Sequence, residues 1–311
     1  AALCYFAVKL KKPAITLLFV LSFVCSLGMG YLSSKDFAQA SMNWIAEGVN
    51  VVGQGLLLLG VLMLHNAGLK ELKVEIAAYL KRRCHLSYDY QKEIMVTVGG
   101  SEAIDLALRA MLDPGDEVLL PMPSYVSYLP CVTLADGVPV VIDLKEENQF
   151  KLTKEELLAH ITDKTKILIL PFPNNPTGAV MTKEDLQEIV DVVIEKDLYV
   201  ISDEIYSELT YTDKHISIVN IPGMIERTVL INGFSKSYAM TGWRLGYACG
   251  PKEILDQMYK IHQFCIMCAP TTSQYAAVEA LKNGDDDVQM MRDAYNQRRR
   301  FLVHAFKEMK L

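Results

Sequence analysis

Seven short apolar runs, set apart by stretches whose apolar residues recur at helical spacing, constrain this chain more than any other feature. The runs are Glu93–Val98, Glu117–Leu120, Gly137–Asp143, Ile167–Leu170, Leu198–Ser202, Thr228–Ile231 and Arg244–Cys249. Near-continuous apolar character over so few residues suits strands buried on both faces. Leu72, Ile76 and Leu80 mark one face of a helix over 69–84, with Glu71, Lys73, Glu75 and Lys81 elsewhere on it. Gly99-Gly100-Ser101-Glu102 opens a second periodic segment that runs through Leu112, and Pro114-Gly115 turns the chain. Thr153 with Glu156 reads as a capping box, and so does Thr182 with Asp185, which precedes the buried face of Leu186, Ile189, Val190 and Val193. Strand and helix in alternation predict an α/β fold, a mainly parallel sheet flanked by helices. No internal repeat or low-complexity segment is visible.

Composition removes several function classes. At 311 residues, 51% hydrophobic and 22% charged, the chain is globular in character and long enough for one large domain or two. A net charge of -6 gives no basic footprint, so nucleic acid is not an expected partner. Seven cysteines, an odd and scattered set, argue against a disulfide framework and for a reducing, cytoplasmic setting. Cys265-Ile-Met-Cys268 has CxxC spacing but no second pair, and the six histidines show no ligand spacing, so no metal is expected.

The N-terminal third reads differently. No Asp, Glu, Lys or Arg occurs from Pro13 to Ser34 or from Gly48 to Leu69, while Lys9, Lys11 and Lys12 precede the first run and Lys70 and Lys73 follow the second. Each run has the length of a bilayer span, about 20 residues, and the lysines would keep both ends of a hairpin cytoplasmic. Dilution by Ser, Gly, Asn and Gln favours the other reading, an apolar arm over 1–65 buried at a subunit interface. Membrane association through 13–34 and 48–69 stands as the alternative.

In an open α/β sheet, ligands bind outside the carboxyl ends of the strands, and the unusual loops of this chain fall at such ends. Gly99-Gly100-Ser101-Glu102 leads into a helix whose first N–H groups suit a phosphate. Pro121-Met-Pro-Ser-Tyr125 offers an aromatic plane, and Asn174-Asn-Pro-Thr-Gly178 presents a side-chain amide. Ser202-Asp203-Glu-Ile-Tyr206 ends a strand on a carboxylate that needs a partner if buried. Val229 to Gly246 runs from an apolar segment into a loop carrying Lys236, with Arg244 eight residues on. A neutral lysine amine captures carbonyl compounds, and a guanidinium matches phosphate oxygens bidentately.

Asn175-Pro-Thr-Gly178, Asp203-x-x-Tyr206, Ser235-Lys236 and Arg244, in this order and spacing, resemble the class I/II aminotransferases of the fold-type I pyridoxal phosphate enzymes. The resemblance runs from about Asn66 to the last residue, with an echo at Leu27-Gly-Met-Gly30. It implies a Schiff base on Lys236, which then serves as the proton shuttle. Asp203 would pair with the pyridine nitrogen, Asn175 and Tyr206 would bond the phenolic oxygen, and Tyr125 would stack on the ring. Gly100, Ser101 and Glu102, with Ser235 and Arg244, would hold the phosphate. Gly30 and Asn175 would contact substrate. The implied function is ping-pong transamination between an amino acid and a 2-keto acid in a two-fold dimer. The implied domains are the arm 1–65, a cofactor-binding large domain 66–265, and the start of a small domain 266–311. A β-lyase or decarboxylase of the same fold, or a non-catalytic pyridoxal phosphate-binding protein, are the alternatives.

Three positions depart from the family pattern. A partner-subunit tyrosine that reaches the phosphate is matched here near Met63, an apolar residue, and a phosphate-contacting serine is matched by Gly233. The family's substrate-carboxylate arginine lies in the small domain, past the point matched by Leu311. The resulting expectation is an intact cofactor pocket with impaired turnover.

Overall fold

The computed structural model describes residues 13–33, 49–56, 69–212 and 214–309. The chain divides into two compact units, Ala1–Gly68 and Leu69–Leu311. In the first, α1 (Pro13–Ser33) is apolar around its whole circumference, and α2 covers 49–56. The Ser22 hydroxyl donates to the Gly53 carbonyl at 2.9 Å, and a Cβ on Gly53 would stand 2.9 Å from the Cys25 Cβ, so the glycine lets the two helices touch. A membrane hairpin over 13–34 and 48–69 needs two spans; among the described residues no helix is long and apolar enough to cross a membrane. Met63 and the 66–68 region lie outside the described residues.

In the second unit, seven strands form one sheet: β1 (Ile94–Thr97), β2 (Glu117–Met122), β3 (Val138–Asp143), β4 (Thr165–Leu170), β5 (Tyr199–Asp203), β6 (Thr228–Gly233) and β7 (Gly246–Cys249), in the order β1-β7-β6-β5-β4-β2-β3. The pairs β2–β3, β2–β4, β4–β5 and β5–β6 are parallel. Only β7 is reversed, antiparallel to both β1 and β6. Parallel strands need crossovers, and among the described residues these carry α4 (Gly100–Met111), α5 (Tyr128–Leu134), α6 (Lys154–His160) and α7 (Lys183–Glu195), while β5 to β6 crosses through the 3-10 turns Ser207–Leu209 and Ile218–Asn220. Both expected capping boxes are present, Thr153 with Glu156 opening α6 and Thr182 with Asp185 opening α7.

Strand residues alternate between two cores. Leu168, Leu170, Val200 and Leu230 pack on one face with Leu186, Ile189 and Val193 of α7. Ile167, Ile169, Ile201, Val229 and Ile231 pack on the other with Ala103, Ile104 and Ala107 of α4 and with Leu255 and Met258 of α8 (Lys252–Cys265). Apolar side chains on both faces explain why the strands read as continuous runs.

The first helix of this unit departs from expectation in two ways. α3 (Lys70–Tyr79) does not continue to residue 84 as an α-helix but passes into a π-helical turn, Leu80–Cys84, closed by His85 at φ +57°. The wider turn keeps Leu80 buried while presenting Arg82 to Asp285, at 3.0 Å, and Arg83 to Glu208. Lys73, expected off the apolar face, is buried. Its Nζ donates to the Tyr259 hydroxyl at 2.6 Å, and burial lowers its pKa to about 8. Two further helices, α9 (Thr271–Asn283) and α10 (Asp285–Glu308), follow α8.

Candidate active site

Because β1, β2, β4, β5 and β6 run the same way, the loops leaving them emerge along one edge of the sheet, and the reversed β7 enters from that same edge. That geometry gathers residues 97 to 244. Gly100, Ser101, Tyr125, Asn175, Asp203, Tyr206, Ser235, Lys236 and Arg244 line a single cavity of about 260 Å³. Glu102 does not line it, its carboxylate turning to the Val98 N–H and to His262, and Gly30 lies in α1 of the first unit.

At one end the backbone is tightly pressed. Gly99 is the N-cap of α4 at φ +88°, where an L side chain is disfavoured, and a Cβ there would stand 2.6 Å from Nη2 of Arg244. A Cβ on Gly246 would fall 2.6 Å from the Gly99 carbonyl carbon, so β7 also runs directly under the turn. No side chain caps α4, and its first N–H groups, with the Ser101 hydroxyl, open on the cavity. Arg244 donates to the Thr241 carbonyl at 3.2 Å and to the Val98 carbonyl at 3.5 Å, and among the described residues no carboxylate pairs with it. The Thr241 hydroxyl, bonded to the Ser235 carbonyl at 2.8 Å, ties the loop after β6.

The other end is made of side chains. Asp203, at the carboxyl end of β5, accepts from the Tyr128 hydroxyl at 2.8 Å and from the Ile205 N–H at 3.1 Å. Burial pushes its carboxyl above the usual range, against the pull of those two bonds. Burial and the neighbouring Asp203 likewise raise Tyr128 well above an ordinary phenol. Glu204 anchors the loop from behind, accepting from Ser217 at 2.6 Å and Ser202 at 3.0 Å and pairing with His215 at 2.7 Å. Asn175 donates to the Tyr206 hydroxyl at 3.4 Å, and Lys236 Nζ stands 5.5 Å from the Tyr206 ring centroid. Tyr125 meets Tyr128 edge to face at 5.6 Å, and its hydroxyl lies 3.5 Å from the Ser101 hydroxyl.

Tyr128 is the site residue that sequence reasoning missed. The available signal is its place three residues after Tyr125, where a turn closed by the Tyr128 N–H on the Tyr125 carbonyl at 3.2 Å brings the two rings together. Gly233 has a packing reason. A Cβ there would lie 3.0 Å from the Gly246 Cα and 3.1 Å from both the Leu245 carbonyl and Ile205, so a serine would require its neighbours to give by a few tenths of an ångström. A larger cleft of about 800 Å³ shares Tyr206, Ser235, Lys236 and Thr241 with the cavity and is walled by Tyr211, Tyr295 and Arg299.

Residues 62–311 match the family described as aminotransferase class I and II. The chain belongs to that family. A putative aminotransferase, YugH, of Bacillus subtilis is 48% identical over 246 residues, covering 79% of this chain and 64% of the relative. An aspartate aminotransferase of Pyrococcus abyssi is 47% identical over 249 residues with the same shares covered. The solved aromatic aminotransferase from Pyrococcus horikoshii superposes with a TM-score of 0.77 at 46% identity, covering 78% of this chain and 66% of that one. The chain thus spans just under two thirds of the length of the curated relatives it matches.

Enzymes of the class I and II aminotransferase family use pyridoxal phosphate, and the cavity's donor set fits that cofactor. An uncapped helix N-terminus and an arginine without a carboxylate partner suit a phosphate. A buried strand-end carboxylate suits a ring cation. Lys236 brings an amine to the same space.

Proposed function

We propose that this chain carries out pyridoxal phosphate-dependent transamination of an amino acid with a 2-keto acid, with Lys236 as the reacting amine. The carrying observation is that one cavity collects an amine, a buried carboxylate and an arginine beside a helix N-terminus, three groups that match three parts of one cofactor. When bound, pyridoxal phosphate supplies a carbonyl for covalent capture of amines and a ring that withdraws electrons.

In this reading Gly100, Ser101 and Glu102 act through backbone groups, and with Ser235 and Arg244 they bind the phosphate. Asp203, ionised and steadied by Tyr128, holds the ring nitrogen protonated. Asn175 and Tyr206 donate to the phenolic oxygen, and Tyr125 covers the ring. Lys236 Nζ would be the amine that holds the cofactor's carbonyl carbon covalently and, when free, would move the proton at the substrate Cα. The larger cleft beside Lys236 takes the substrate, and Asn175 and Gly30 are the proposed substrate contacts. Residues 66–265 form the cofactor domain, with the apolar arm 1–65 before it in the chain and the helices of 266–311 after it. The working unit is a homodimer in the cytoplasm.

The test supplies cofactor, a panel of amino acids and 2-oxoglutarate, and follows keto acid and new amino acid together. Equal amounts of both support transamination. Ammonia and keto acid released without an acceptor would replace it with the lyase chemistry of the same cofactor.

A further inference from the structure

Glu102 presents a problem that its surroundings solve. It stands in the first turn of α4, where a carboxylate ordinarily benefits from the helix dipole. The same turn is the proposed seat of a phosphate, and a carboxylate within one turn of it repels that group. The side chain is fastened away from the cavity on both oxygens. Oε2 accepts the Val98 N–H in a very short bond, and Oε1 lies 2.6 Å from Nδ1 of His262 on α8. His262 is 1% exposed and does not line the cavity.

From this geometry we infer that His262 is a positioning residue for the phosphate-binding end, acting through Glu102. An ionised Glu102 only accepts hydrogen bonds, so Nδ1 of His262 carries the proton of that bond. Glu102, so held, fixes the Val98 N–H, while the Val98 carbonyl accepts from Arg244. His262, Glu102, the Val98 peptide and Arg244 therefore form one connected path from a buried helix face to the guanidinium. The path also runs past Gly99, where a Cβ would stand 2.6 Å from Nη2 of Arg244. The imidazole N–H draws charge on Glu102 away from the anion seat and keeps the first N–H groups of α4 free for it. The inference rests on the cofactor reading above.

Its test separates the phosphate from the rest of the cofactor. Affinities for pyridoxal phosphate and for pyridoxal, which lacks the phosphate, are measured by absorbance and fluorescence titration of the wild type, His262→Leu and His262→Gln. Loss of one hydrogen bond to a charged group predicts roughly tenfold weaker pyridoxal phosphate binding in His262→Leu. Pyridoxal binding should stay near the wild-type value. His262→Gln keeps an N–H donor and should recover most of the difference. If His262→Leu does not fold, His262→Asn, whose shorter amide falls short of Glu102, takes its place. Equal weakening toward both compounds would mean that His262 only supports the fold, and unchanged pyridoxal phosphate affinity would overturn the proposal as well. Failure of the cofactor reading itself looks different: the wild type would then bind neither compound through Lys236.

Discussion

At the proposed phosphate end of the cavity the chain is pressed against itself, whereas at the proposed ring end side chains hold one another. Gly99, Gly246 and Arg244 meet at distances that admit no added carbon, so position there is set by backbone packing. Tyr128 bonds to Asp203 and Asn175 to Tyr206, and what these pairs set is charge. The contrast follows from the task. A phosphate needs several donors converging on one point, which packed backbone supplies at little entropic cost. A ring nitrogen needs a carboxylate whose ionisation is tuned, which burial and a phenol supply.

If the two ends have these separate tasks, substitutions should separate affinity from turnover. The largest effect belongs to Asp203→Asn, which keeps the shape and removes the charge. Turnover should fall about 10²–10³-fold, with cofactor affinity changed far less; a loss confined to affinity would erase the distinction. Arg244→Ala should do the reverse, weakening pyridoxal phosphate by roughly ten- to a hundredfold, as for a lost charge-assisted contact, while pyridoxal binding holds. Gly99→Ala forces a side chain into a left-handed position against Arg244, and thermal denaturation should show a loss of roughly 1–3 kcal/mol. A neutral result there would mean that the phosphate end is not rigid.

Tyr128→Phe gives the smallest and most specific effect. The Tyr128 hydroxyl bonds the ionised form of Asp203 and so pulls its pKa down against burial. Removing the hydroxyl raises the Asp203 pKa further, so the acid limb of the pH–rate profile should move to higher pH with the alkaline limb in place. An unmoved acid limb would show that Tyr128 does not tune Asp203.

The strands were legible because each apolar run is bounded by turn or capping residues, and the pocket loops because they follow strand ends. Lys236 and Asn175 sit in such loops and Asp203 ends the strand before one, so order along the chain already implied proximity in space. The direction of β7 was not legible, since an apolar run carries no arrow. Tyr128 escaped because its partner, Asp203, lies 75 residues away. Lys73 escaped because its hydrogen-bond partner, Tyr259, lies 186 residues on. His262 looked like one of six unremarked histidines until α8 was seen to face α4 and Glu102. The π-helical turn depends on Asp285 and Glu208, which no local pattern connects to Arg82 and Arg83.

Covalent capture of pyridoxal phosphate by one particular amine is tested most directly by borohydride trapping. Wild type and Lys236→Ala are incubated with the cofactor, reduced and mapped by peptide mass. The account predicts a single stoichiometric label on the peptide containing Lys236, absent from the variant. A label spread over surface lysines and unchanged in Lys236→Ala would contradict it.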